Sequence, residues 1–179
     1  MNIVAIGAHP DDLEIFAYGF LAAASSRGDN LILGVATDGA AGGINQGAEL
    51  AKQRADEARD GLAALGTPTL LDLPDGQLAD APNARNYIKD FIRNATPDLV
   101  ITHAPEDYHP DHRALSAYVR DAAGFICPVL FCDTLMGVGF TPDYYVDITP
   151  HFAAKQNAIM AHHSQDPSRF ASASAIMNR

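Results

Sequence analysis

The stretch Asn2-Ile3-Val4-Ala5-Ile6-Gly7-Ala8-His9-Pro10-Asp11-Asp12-Leu13-Glu14 decides the fold. The apolar run Asn2 to Gly7 reads as a first strand, and the polar run after it precedes a helix-like pattern. His9, Asp11 and Asp12 therefore fall in the loop at the carboxyl end of a strand, the edge of an open α/β sheet where ligands bind. A histidine and two adjacent carboxylates are costly to cluster in one turn unless a metal ion or a substrate uses them. His9 and Asp12, three residues apart, are spaced to grip one metal ion. Asp11 is then free to act on a water held by that ion.

Outward from this run, strand-like and helix-like segments alternate, the pattern of a parallel sheet covered on both faces by helices. Asp12 to Ser26 reads as a helix stopped at Arg27-Gly28-Asp29, and Leu31 to Thr37 as a second strand, apolar enough to be buried on both sides. The glycine-rich run Asp38 to Gly47 suits a loop over the sheet edge. Ala48 to Leu65 is a helix with Leu50, Ala51, Ala55, Ala58, Leu62 and Leu65 near one face and Gly66 as its stop. Leu70 to Leu73 is a third strand ending in the turn Pro74-Asp75-Gly76. A helix over Asn83 to Asn94, a strand over Asp98 to Thr102, a helix over Arg113 to Ala123 and a strand over Pro128 to Cys132 follow. Tyr144 to Ile148 reads as a sixth strand and His151 to His163 as a last helix, while the Ser- and Ala-rich tail from Ser164 carries no assignable pattern. The expected architecture is a single α/β domain with a Rossmann-like, mostly parallel sheet.

A second polar cluster, His103-Ala104-Pro105-Glu106-Asp107-Tyr108-His109-Pro110-Asp111-His112, lies at the carboxyl end of the fourth strand. Two loops a hundred positions apart are thus expected on the same sheet edge. His9, Asp12 and His112 make a two-histidine, one-carboxylate set that leaves coordination positions open for water and substrate. Zinc accepts that set, and so does iron(II); zinc suits hydrolysis better because it brings the pKa of its bound water to about 7. Asp11 is placed to be the general base. His109, as an imidazolium, would stabilise an oxyanion or protonate a leaving amine, with Asp111 fixing its tautomer. Each motif alone has a plainer reading: Asp12 as a helix cap, Glu14 as a first-turn acid favoured by the helix dipole, His103 as a strand-end histidine. Their pairing at two strand ends carries the functional reading. Arg54 is a candidate for a substrate hydroxyl, against an ion pair with Glu57 or Asp56. Asp38 and Asp75 follow strands and either face the pocket or shape turns.

Composition narrows the partners. The 179 residues carry 12 basic and 22 acidic side chains, a net charge of −10. Such a surface repels phosphate backbones and anionic membranes, so neither nucleic acid nor membrane is expected, and a small neutral or cationic substrate fits better. Cys127 and Cys132 form no CxxC and read as thiols of a reducing compartment. No basic segment and long apolar run opens the chain, and a cytoplasmic location is expected.

Taken together, Ala8-His9-Pro10-Asp11-Asp12 with Glu14, and His109-Pro110-Asp111-His112, resemble the LmbE-like (PIG-L) family of zinc-dependent de-N-acetylases. Thr37-Asp38-Gly39, Arg54 with Glu57, Leu73-Pro74-Asp75-Gly76, and Lys155 followed by His162-His163-Ser164-Gln165 extend the resemblance to about Gln165. It implies a Rossmann-like fold and hydrolysis of an N-acetyl group from an N-acetylglucosamine-type sugar, with Zn2+ on His9, Asp12 and His112. It further implies Asp11 as general base, His109 as oxyanion stabiliser with Asp111 behind it, a substrate-contacting Arg54, and a homo-oligomer. Residues 1–179 are read as one such domain with a carboxyl-terminal segment shorter than usual. Phe16-Ala17-Tyr18-Gly19 departs from a more glycine-rich stretch, which points to Tyr18 at the pocket mouth. The alternatives are a metal- or sugar-binding protein with little turnover, or a metal hydrolase of another amide.

Overall fold

The apolar run at the amino terminus becomes β1 (Asn2–Gly7), the central strand of a five-stranded, all-parallel sheet. The computed structural model describes residues 1–134 and 139–178. In it, β2 (Asn30–Thr37) and β3 (Thr69–Leu73) lie on one side of β1, and β4 (Leu99–His103) and β5 (Val129–Cys132) on the other. The order β3-β2-β1-β4-β5 reverses its winding between β1 and β4, and a crevice opens at that point beyond the strands' carboxyl ends. Both motif loops emerge there. The fold is the expected single α/β domain.

Alternation along β1 sorts the core into two layers. Val4 and Ile6 pack with Ile88 and Ile92 of α3 (Ala84–Asn94) and Leu115 and Val119 of α4 (Pro110–Ala123). Ile3 and Ala5 pack with Leu21 of α1 (Tyr18–Ser26), Leu62 of α2 (Ala48–Leu62) and Ala158 of α5 (Phe152–Met160). All of these side chains are buried, and each leucine or isoleucine contributes about 1.5–3 kcal/mol by leaving water. With apolar layers on both faces, β1 is held rigidly, and so are the loops at its end.

Three segments depart from expectation. Helix one begins with a five-residue π-helical turn, Leu13–Ala17, before α1 proper. Such wide turns recur at functional sites, and this one turns Ile15 and Phe16 toward the crevice. Residues Tyr144 to Ile148 form no strand: Tyr144 and Tyr145 are exposed, and Asp147 instead accepts from the Thr149 N–H to start the 3-10 turn Thr149–His151. β propensity without a face to bury does not make a strand. The expected helix His151 to His163 is divided into that turn, α5, and a second 3-10 turn, His163–Gln165. The unassigned tail folds as α6 (Pro167–Met177), whose Phe170 and Ala171 pack on Ile15 and Ile159. Among the described residues no helix is long and apolar enough to cross a membrane, and both cysteines are free thiols.

Candidate active site

Strand-end threonines fix the first loop. The Thr37 N–H and hydroxyl both donate to the Ala8 carbonyl at 2.8 Å, and the Thr102 hydroxyl donates to the Ile6 carbonyl at 3.0 Å. Within the loop, Asp12 N–H closes a turn on the His9 carbonyl (3.2 Å), and the His9 N–H donates to Asp12 Oδ2 (2.6 Å). Between them Asp11 adopts φ +128°. A buried aspartate in that backbone region is strained, and strain of this kind collects at functional sites.

Donor atoms from the two loops converge. His9 Nδ1 lies 3.2 Å from His112 Nε2 and 3.3 Å from Asp12 Oδ2, and His112 Nε2 lies 3.3 Å from Asp12 Oδ1. A tetrahedral ion with ligands at about 2.0–2.1 Å has edges of roughly 3.3–3.4 Å between them. The three side chains thus come close enough to share one ion, His9 facing Asp12 Oδ2 and His112 facing Asp12 Oδ1, and all three line a common cavity. Each histidine is backed by carboxylate at its other nitrogen: His112 Nδ1 is 3.1 Å from Asp107 Oδ2, and His9 Nε2 is 3.2 Å from Asp75 Oδ1 and 3.3 Å from Asp111 Oδ2. That arrangement orients metal-ligating histidines and raises their basicity.

The electrostatics agree. Burial works against the charged form of His9, but Asp111, Asp12 and Asp75 outweigh it and hold its pKa well above the usual histidine value. His112, likewise opposed by burial, is raised to about 9 by Asp12 and Asp107. Asp12 resists burial because His112 and His103 hold its carboxyl well below the ordinary range. The nest is an anionic one that calls for positive charge, whether protons or a cation.

Asp11 is set apart from this group. Burial pushes its carboxyl up to about 6, against the pull of Arg54, whose Nη2 donates to Asp11 Oδ2 at 3.2 Å. The same guanidinium donates to the Pro10 carbonyl (2.8 Å) and the Gly39 carbonyl (3.1 Å). Neither Glu57 nor Asp56 is its partner: Asp56 pairs with Arg59, and Glu57 accepts from Gln53 and Ser164. The glycine-rich loop lies so close over Arg54 that a Cβ at Gly42 would collide with Nη1. Asp75 lines the cavity, whereas Asp38 accepts from the Ala40 and Asp75 N–H groups (3.0 and 3.3 Å) and so shapes the turn that presents Asp75.

Asp111 does not back His109. Its carboxylate accepts from the N–H groups of Gly76 (2.7 Å) and Leu78 (3.1 Å) and faces His9, while its own N–H donates to His109 Nδ1 at 3.2 Å. Since Nδ1 accepts, a neutral His109 carries its proton on Nε2. Burial, reinforced by His9 and His112, keeps the His109 pKa below the usual histidine value.

Several further side chains belong to the site, among them His103, read from the sequence as a plain strand-end histidine. His103, buried and stacked on His112 (ring centroids 3.7 Å apart), sits 3.1 Å from Asp12 Oδ2. Asp107 backs His112; a carboxylate in the same loop as a candidate ligand was the available signal. Tyr18 is buried in the core, and Phe16 takes the place at the pocket that was expected of it. Tyr108, Gln165 and Phe170 complete the lining of a cavity of ≈ 280 Å³.

The sequence model described as PIG-L, GlcNAc-PI de-N-acetylase, matches residues 4–123, the part that contains both motif loops. The chain belongs to the PIG-L family. Among PIG-L relatives, diacetylchitobiose deacetylase of Thermococcus kodakarensis is 29% identical over 188 residues, covering 93% of this chain and 70% of the relative. The solved structure of N,N'-diacetylchitobiose deacetylase from Pyrococcus horikoshii, complexed with an inhibitor, superposes with a TM-score of 0.84 at 25% identity, over 99% of this chain and 75% of that one. The 4-carboxy-2-hydroxymuconate hydratase GalB of Pseudomonas putida has a TM-score of 0.86 at 20% identity, over 99% and 84% of the two chains. That likeness concerns the fold alone, and within this fold the reaction has to be argued from the site.

Proposed function

We propose that the chain, acting as one deacetylase domain over residues 1–179, is a metal-dependent hydrolase that removes an N-acetyl or similar acyl group from an N-acetylglucosamine-type substrate. The observation that carries this reading is the triangle of His9, Asp12 and His112 donors with a buried, half-tamed carboxylate, Asp11, beside it. Membership of a de-N-acetylase family and the diacetylchitobiose deacetylases among its relatives support the substrate class.

His9, Asp12 and His112 would hold a divalent cation, zinc in this reading and iron(II) as the alternative, which would supply Lewis acidity at the site. Asp11 takes the proton of the attacking water at the oxygen that Arg54 leaves free. The water oxygen bonds to the amide carbon, and the His109 Nε2–H donates to the carbonyl oxygen as negative charge gathers there. When the C–N bond breaks, the proton held by Asp11 passes to the departing nitrogen, giving a free amine and a carboxylic acid that then loses its remaining proton to solvent. Asp111 keeps the His9 ring in place, Arg54 and Asp75 meet substrate hydroxyls, and Asp38 fixes the turn of Asp75. In this reading the protein is a cytoplasmic homo-oligomer whose partner is a small amino sugar.

The test is metal analysis of the purified protein, with acetate and amine release measured on N-acetylglucosamine glycosides, diacetylchitobiose, acylated amines and phosphoesters. Equal release of acetate and amine from the sugars, lost on chelation and regained with zinc, is expected. Metal-loaded protein that binds these sugars without releasing amine would leave only a binding function.

A further inference from the structure

The cavity has a wall that the acid–base and metal-binding groups do not account for. Gln165 and Phe170, from the last third of the chain, line it beside Ile15, Phe16 and Tyr108. We propose that Gln165 and Phe170 form the sugar-recognising wall and set specificity for the pyranose ring that carries the acyl amide; this rests on the amino-sugar reading above.

The wall is built in. Glu14 Oε1 lies 2.8 Å from His162 Nε2, and both residues are 1% exposed. Gly61 of α2 makes room for them, since a Cβ there would stand 2.6 Å from Glu14 Oε1. Two residues on, the Ser164 N–H and hydroxyl both donate to Glu57, at 2.9 and 2.6 Å. Glu14 follows Asp11 by three residues and Glu57 follows Arg54 by three, so the segment is seated on the same two elements that hold the base. Asp166, at φ +48°, then turns the chain into α6, which is fixed by the Gln156 bond to the Ala171 carbonyl (3.1 Å) and by Phe170 and Ala171 against Ile15 and Ile159. The corner brings Gln165 and Phe170 to the same cavity.

Their chemistry matches a sugar. The Gln165 amide N–H group donates to the Ser164 carbonyl and hydroxyl (3.1 and 3.2 Å), and among the described residues nothing donates to its Oε1, which lies so close to Gly42 that a Cβ there would stand 3.3 Å from it. A pyranose offers hydroxyl donors at its rim and polarised C–H bonds on its faces. An amide oxygen accepts the first, and the negative face of an aromatic ring attracts the second. At ≈ 280 Å³ the cavity is at the small end of ligand pockets, roughly 300–1,000 Å³, and suits one ring rather than a chain. Glu14 and Glu57 act through His162 and Ser164 and are positioning residues.

The experiment compares wild type, Gln165→Ala, Gln165→Asn, Phe170→Ala and Phe170→Tyr on an N-acetylglucosamine glycoside, its 3-, 4- and 6-deoxy analogues, and an acyclic N-acetyl amine, with metal content and Tm recorded. The sugar-to-acyclic ratio of kcat/KM should fall about tenfold in each alanine variant, mainly through KM, as expected for one lost contact. One deoxy analogue should lose nothing further in Gln165→Ala, and Phe170→Tyr should restore the ratio. Alanine variants that keep the wild-type ratio, or lose kcat equally on both substrates, overturn the wall while leaving the deacetylase reading intact. A wild type that cleaves acyclic amides but neither binds nor cleaves the sugars overturns both.

Discussion

Arg54 Nη2 donates to Asp11 Oδ2 at 3.2 Å and to the Pro10 carbonyl at 2.8 Å, so one guanidinium nitrogen on α2 holds both the base and the backbone that strains it. The helix and the loop act as a single mechanical unit. A lysine in place of Arg54 has no fork to reach both partners.

Asp11→Asn preserves shape and removes the proton acceptor. Metal per chain should stay at the wild-type level while kcat falls by about 10²–10⁴-fold, the share general base catalysis ordinarily supplies. Metal analysis with steady-state kinetics checks it, and a variant with full turnover would show that the base lies elsewhere.

Asp107→Asn alters no ligand but weakens the carboxylate behind His112 Nδ1. Zinc affinity, measured by competition with a chelator, should drop about 10–100-fold. Removal of the ion from wild type should also lower Tm, since a ligand at about 100 times its Kd stabilises by roughly 2.7 kcal/mol.

Gly61→Ala tests the strut beneath the pocket. Helix propensity alone favours alanine by about 1 kcal/mol, yet the new methyl would meet Glu14 Oε1 at 2.6 Å, the Ala158 carbonyl at 3.1 Å and His162 Nε2 at 3.2 Å. Overpacking of this kind costs about 1–3 kcal/mol, and urea denaturation should show a less stable variant. A stabilised Gly61→Ala would mean that the Glu14–His162 pair is not tightly seated.

Lys155, buried on α5, supplies a pH test of stability. Burial drives its ammonium down to about 8, with Cys132 pulling weakly the other way. A lysine whose folded pKa lies below its unfolded value opposes folding fully below the folded pKa, and the opposition fades as pH climbs to the unfolded value of about 10.5. Lys155→Met should therefore be more stable than wild type by about 1–3 kcal/mol at pH 7. The gap should close between pH 8 and 10.5, read by thermal unfolding across that range.

Periodicity was enough to read the sheet. The bounds expected for β1 are the observed ones, and those of β2, β3, β4 and β5 shift by a residue, because parallel strands buried on two faces leave unbroken apolar runs. The convergence of His9, Asp12 and His112 was legible from two strand ends and a topology rule. What escaped depends on tertiary partners. Asp111 turns toward His9 because the N–H groups of Gly76 and Leu78, on another loop, capture its carboxylate. The Glu14–His162 pair joins residues 148 positions apart, and α6 has a weakly patterned face that only Ile15 and Ile159 make apolar by contact. Tyr144 to Val146 has the residues of a strand, and no neighbour took it up.

That pair of partners from opposite ends of the chain has a consequence for biosynthesis. The donors proposed for the cation all belong to residues 9–112, whereas Gln165 and Phe170 leave the ribosome some fifty residues later. If those residues hold an ion, a nascent chain can take it up before the Gln165–Phe170 wall exists, and preference for a sugar arrives only when the final helix docks.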